Sequence, residues 1–219
     1  MAEIKIGFAT FNPSGGNGDQ AVTVTGEKHT GRTARSVTAK IAVDAGGVEK
    51  QVIVNQAAAV EAVTIDSTSS IAKEGGNITI NGKSNSTKLT FEYTQGGDNP
   101  LVIEVPAQYT AAGKATNNGE AIADDPGATA EYAFSVTFEG IPANETVTDL
   151  TGTLKVTAAG GQVANCAITQ TAGDPTLEVN PETINLDAEG TQQTLNVTSN
   201  TSWSITQVVA AKFKAMFKK

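Results

Sequence analysis

The sequence predicts an all-β protein: tandem β-sandwich units followed by a short amphipathic helix. Three observations carry this. Short runs of alternating apolar and polar residues recur along the chain, bounded by Gly, Asn and Asp turns, which is the strand signature. A block of sequence repeats at an offset of 114 residues, which marks a repeated structural unit. The last twelve residues abandon the period of two for helical spacing.

The repeat is clearest in one hairpin. Residues 45–56, AGGVEKQVIVNQ, match 159–170, AGGQVANCAITQ. Upstream, VTAKIAV (37–43) matches LTGTLKV (150–156). Gly46 and Gly47 supply the positive-φ positions that a tight hairpin turn needs. Val52, Val54 and Gln56 then share one strand face, as do Cys166, Ile168 and Gln170. Downstream, VTIDSTSSIAKEGGNITINGKSN (63–85) matches LEVNPETINLDAEGTQQTLNVTSN (177–200). Between the copies, Leu89, Phe91 and Tyr93 alternate, LVIEV follows a GGDNP turn, and Tyr132, Phe134, Val136 and Phe138 alternate. Residues 111–128 read as a polar surface loop.

The expected layout is a short β unit at 1–60, a complete sandwich at 61–173 and a partial unit at 174–207, where a further copy starts. A basic tail follows at 208–219. Drawn as a helix, it puts Val209, Phe213, Met216 and Phe217 in one arc, with Lys212 and Lys214 outside it. A helix this short needs a surface to lie on. A groove in a protein partner or the acidic body of the chain suits it better than a membrane.

Composition narrows the function. The formal net charge is −8; without the four lysines of the tail, residues 1–207 carry −12. Such a body is a poor partner for nucleic acid. The single cysteine excludes an internal disulfide framework, and the first residues lack the pattern of a secretory signal, so synthesis and folding in a cytoplasm are expected.

Isolated residues offer little chemistry. His29, the one histidine, lacks the companions of a triad or a metal site and reads as an exposed loop residue. Cys166 takes the place of Val52 in the repeat and reads as a small buried hydrophobe. Gln56 and Gln170 are expected to bond backbone groups at a sheet end. Asp124, Asp125 and the Asn17–Asp19 turn lack the alternating ligand spacing of a calcium loop. Arg32 and Arg35 read as solvated or weakly paired. The Asn-X-Ser/Thr sequences at Asn77, Asn85, Asn144, Asn196 and Asn200 read as strand composition. Neither a catalytic residue nor a cofactor is expected. Trp203 alternates with Ile205, which places it on an inward strand face; Tyr109, in PAQYT, is the remaining candidate for an exposed glycan-stacking ring.

The GG…VxVxQ ending and the stretch LEVNPETINLDAEGTQQTLNVTSNTSWSI resemble the BACON type of Ig-like β-sandwich. The stretch FATFNPSGGNGDQAVTVTGEKHTGRTARSVTAKI resembles the start of capsid-associated proteins of Bacteroides phages, crAss-like phages among them. The resemblance implies Ig-like units in a non-enzymatic virion protein, an auxiliary, decoration or head-fibre protein on the capsid surface. Its expected partners are the major capsid protein or other virion proteins and further copies of itself, a trimer being one arrangement. The alternative it implies is a carbohydrate-binding module that attaches to host or mucosal glycans. The last copy is incomplete and the first is short, so unpaired edges and a completing partner are expected.

Overall fold

The computed structural model of the chain describes residues 2–207. The tail helix and its candidate docking residues Val209, Lys212, Phe213, Lys214, Met216 and Phe217 lie outside the described residues. Those described form strands almost throughout, with one turn of 3-10 helix at Pro126–Ala128.

The first five strands are β1 (Ile4–Ile6), β2 (Ala9–Asn12), β3 (Thr23–Gly26), β4 (Arg35–Ala42) and β5 (Glu49–Gln56). They form a three-stranded sheet in the order β1-β2-β3 and a separate β4-β5 hairpin. Gly46 and Gly47 in the hairpin turn both take positive φ, as the sequence requires. Phe8, Ala9, Phe11 and Ala39 form a small core here, with Ile6, Val37 and Val54 packed against it.

Nine strands follow: β6 (Val63–Ile65), β7 (Thr68–Ile71), β8 (Gly76–Ser84), β9 (Leu89–Gln95), β10 (Gln108–Ala111), β11 (Lys114–Asn117), β12 (Tyr132–Ile141), β13 (Leu150–Ala158) and β14 (Val163–Gln170). One sheet has the order β11-β10-β12-β8-β6 and the other β7-β14-β13-β9. All neighbours are antiparallel except β7 and β14, which run parallel. The inward residues of both sheets interdigitate in one core. Ile80, Leu89, Val136, Leu154, Val156, Cys166 and Ile168 are almost fully buried there, and Phe91 and Phe134 meet edge to face with ring centroids 5.7 Å apart.

Two readings of this stretch need correction. Residues 111–128 are not all loop. Ala112 and Gly113 both take positive φ, which closes a two-residue hairpin between β10 and β11. Conversely, LVIEV forms no strand. Leu101 is anchored by its N–H to the Thr151 carbonyl at 2.9 Å, and the chain then crosses from one sheet to the other, which leaves no neighbour to pair with.

The last two strands, β15 (Leu177–Asn180) and β16 (Asn196–Ser199), form an antiparallel pair. No described residue of 174–207 is buried. Trp203 and Ile205 are 50% and 79% exposed, which corrects the inward placement that alternation suggested. Alternation puts the two on one face, but no second layer lies over it among the described residues.

Candidate assembly surface

The candidate glycan contact Tyr109 is buried, at 4% exposure. On β10 it alternates inward with Ala111 while Gln108 and Thr110 face out. Its ring lies 4.9 Å from that of Phe91, and its hydroxyl accepts from the Leu89 N–H at 3.3 Å. A ring so placed cannot stack on a sugar. The exposed aromatic among the described residues is Trp203.

The other singled-out residues have structural partners. Cys166 is fully buried, and desolvation pushes its thiol up to about 11, so it is held as a neutral thiol. The Gln170 side chain donates to the Pro142 carbonyl at 2.8 Å, and Gln56 donates to the Glu27 carbonyl at 2.8 Å. His29 is half-buried, with Nε2 2.7 Å from the Thr33 carbonyl. Arg35 donates to Gln56 at 2.8 Å and lies over the Phe8 ring at 4.5 Å. Among the described residues no group of three His, Cys, Asp or Glu side chains is placed to hold a metal.

Arg32 departs from the solvated reading. Its guanidinium pairs with Asp125 and donates to the Asn85 carbonyl, with both charged side chains mostly covered. It thereby ties the first unit to the sandwich. The Arg32 and Thr33 amides donate to Gly127 and Ala128 at 2.8 and 2.7 Å. Gly31 lies so close that a Cβ there would strike the Thr129 backbone. Nothing in the sequence signals an ion pair between residues this far apart.

The Asn-X-Ser/Thr positions reveal a repeated joint. Asn85 donates to Thr30 in the first unit at 2.8 Å and to Val60 in the connector at 3.0 Å, and accepts from the Ala62 N–H at 2.8 Å. Asn200 donates to Glu145 in the sandwich at 2.8 Å and to Asp174 in the next connector at 2.9 Å, and accepts from the Thr176 N–H at 2.9 Å. The preceding serines match too: Ser84 donates to Ala62 at 2.8 Å and Ser199 to Thr176 at 2.7 Å. Each asparagine thus clamps one unit to the next. Asn85 and Asn144 are buried, which removes both from any modification of the folded chain.

Between these joints and the two ends lie open edges. One edge of β3 carries no strand, and β4 and β5 each leave one edge open. Both edges outside the β15-β16 pair are likewise unpaired among the described residues. Exposed apolar side chains mark both regions: Val22, Val24, Ile41 and Val52 in the first unit, Leu177, Val179, Leu195 and Trp203 in the last. Apolar faces beside open edges are the kind of surface on which strand addition takes place.

No protein-family model matches the chain, and no curated protein matches it. Among solved structures, an NMR structure of a protein from Bacteroides thetaiotaomicron is similar over 50% of this chain and 79% of that chain. The identity is 16% and the TM-score 0.24, a likeness too low to carry an argument.

Proposed function

We propose that this chain is a non-enzymatic structural protein of a phage virion, an auxiliary, decoration or head-fibre protein on the capsid surface. It is made in the host bacterial cytoplasm and is built of tandem Ig-like units with an amphipathic C-terminal helix. The observation that carries this reading is the two open-edged regions, the first bearing exposed valines and isoleucines and the last exposed leucines, Val179 and Trp203. Such surfaces favour a partner that supplies strands or a covering layer. The resemblance of the N-terminal stretch to capsid-associated proteins supplies the virion. The major capsid protein, another virion protein or further copies of the chain supply the partner.

The test is co-sedimentation with phage heads stripped of this protein. Full-length chain is compared with a chain ending at Gln207. Retention of full length alone assigns the anchor to the tail residues Val209, Phe213, Met216 and Phe217. Retention of both assigns it to the β units. Retention of neither ends the capsid reading.

A carbohydrate-binding module is the second reading. The half-exposed Trp203 supports it, in place of the buried Tyr109. Loss of retention on a glycan array in Trp203→Ala supports this reading; no retention of the unsubstituted chain on any glycan removes it.

A further inference from the structure

The sandwich at 63–170 shows how the two open regions fit each other. By position in their hairpins, β4 and β5 are the equivalents of β13 and β14. With Val52 placed on Cys166, 114 residues on, Ala39 opposite the one falls on Leu154 opposite the other, two residues from the match of 37–43 to 150–156. Likewise β15 and β16 are the equivalents of β6 and the end of β8, with Val179 opposite Val197 as Ile65 is opposite Gly82. The first unit therefore presents the closing half of a sandwich and the last unit the opening half. In the central sandwich these halves meet where β8 pairs with β12.

That pairing gives a register for the open halves. Ile80 stands opposite Val136, and the Thr79 and Thr137 hydroxyls lie 2.9 Å apart. The equivalent positions hold Leu195 and Val22, and Thr194 and Thr23. The apolar pair stays apolar and the threonine pair recurs. Val136 is 1% exposed and Ile80 fully buried, whereas Val22 is 45% and Leu195 38% exposed. Charge also fits. Residues 174–207 carry five carboxylates and no basic residue; residues 1–60 carry six basic and five acidic. The last unit is the acidic one and the first is slightly basic, in a chain whose net charge would otherwise drive copies apart.

The two halves of one chain do not reach each other. Asn85 holds the first unit at the C-terminal end of β8, and Lys73, just before β8, pairs with Asp174 of the last. A nine-residue strand separates these joints, about 30 Å at the usual rise.

We infer that the β15-β16 half of one copy docks on the β3 and β4-β5 half of a second copy, completing a sandwich between chains with β16 and the residues before it alongside β3. The inference rests on the assembly reading and names its partner as a second copy of this chain. The contact is heterologous, head to tail, so it builds an open row or a larger ring.

Thr23 and Thr194 are both exposed, so each accepts a cysteine without loss of core. Full-length T23C and T194C are mixed and mildly oxidised. The buried Cys166 stays out of the reaction. A reductant-sensitive dimer is expected, and a ladder of multimers from the double variant T23C/T194C. The mixture of T23C with T198C, four residues out of register, is expected to link about ten-fold less, since a disulfide tolerates little separation. Equal linking of both pairs, or none in either, overturns the inference. As a second measurement, the unsubstituted chain should grow in sedimentation coefficient with concentration and Leu195→Asp should not; a chain that stays monomeric overturns the inference. If chains fail to link but still co-sediment with stripped heads, head-to-tail docking falls and the virion reading stands. If they link but heads retain nothing, docking stands and the virion reading falls.

Discussion

Asn85 and Asn200 make the same three hydrogen bonds in different surroundings, and comparing their alanine variants isolates what burial adds. Asn85 is 3% exposed and bonds Thr30, Val60 and Ala62 at 2.8 to 3.0 Å. A typical hydrogen bond contributes a net ~1 kcal/mol, and a buried donor left unpaired costs more. Asn85→Ala removes three bonds made by a side chain that is almost wholly covered. The expected loss is about 3 kcal/mol. Asn200 is exposed, so water replaces the lost partner of Thr176 and the carbonyls. Asn200→Ala is expected to cost about 1 kcal/mol or less.

The chain carries its own reporters for this comparison. Its three tyrosines, Tyr93, Tyr109 and Tyr132, all lie in the central sandwich, and its one tryptophan lies in the last unit. Urea unfolding is followed by tyrosine fluorescence in a Trp203→Phe background, and by Trp203 emission in the native background. Asn85→Ala should move the tyrosine transition to lower urea and leave the Trp203 signal in place. A cost below ~1 kcal/mol for Asn85→Ala, or equal costs at the two sites, refutes the claim that burial sets the strength of the joint.

Three further outcomes follow from burial and charge in the sandwich. Cys166 should react with a thiol reagent at the rate of unfolding, since burial pushes its thiol up to about 11; fast labelling of the folded chain contradicts its placement. Burial raises Tyr93 to about 12 and raises Tyr109 and Tyr132 as well. The folded chain therefore holds phenol protons more tightly than the unfolded chain. That stability is fully present below the ordinary value of 10 and is lost as pH rises toward 12. Tyrosine absorbance at high pH should rise together with unfolding, not independently near pH 10. The Arg32–Asp125 pair, with side chains 18% and 29% exposed, should show a coupling of about 1–2 kcal/mol in a double-mutant cycle. The exposed Lys114–Asp124 pair should show less than ~0.5 kcal/mol.

What the sequence disclosed was local. Alternation located β8, β9 and β12 to β14 because most of their inward residues are large and apolar while their outward ones are mainly Thr, Ser, Asn, Lys, Glu or Ala. It missed β10 and β11 because Gln-Tyr-Thr-Ala and Lys-Ala-Thr-Asn hold few apolar residues and an Ala-Gly turn is a weak hairpin signal. Tyr109 was misplaced for the same reason: without the strand there was no face to assign it to. Trp203 erred in the opposite direction. Its face was read from alternation, but burial also needs a layer on top, which alternation does not report. The repeated Ser-Asn-Ser/Thr was visible as text. Its role as a joint depends on carbonyls 25 and 55 residues away, and only the fold brings those to it.

Trp203 is where the two functional readings part. It follows Asn200 by three residues, and in the sandwich the matching Asn85 is followed after four residues by Leu89, which opens β9 fully buried between the sheets. In a single copy Trp203 is 50% exposed. If a second copy closes over it, the indole leaves water and its emission maximum moves to the blue as protein concentration rises. Dilution should reverse the shift, and Leu195→Asp should abolish it, because the Leu195 contact with Val22 holds the two halves together. If Trp203 instead serves a glycan, the indole stays wet at every protein concentration and its emission responds to sugar alone. One fluorophore in one titration thus distinguishes a surface that copies of the chain cover from one kept open for a ligand. A maximum that ignores both concentration and sugar counts against both uses of this face.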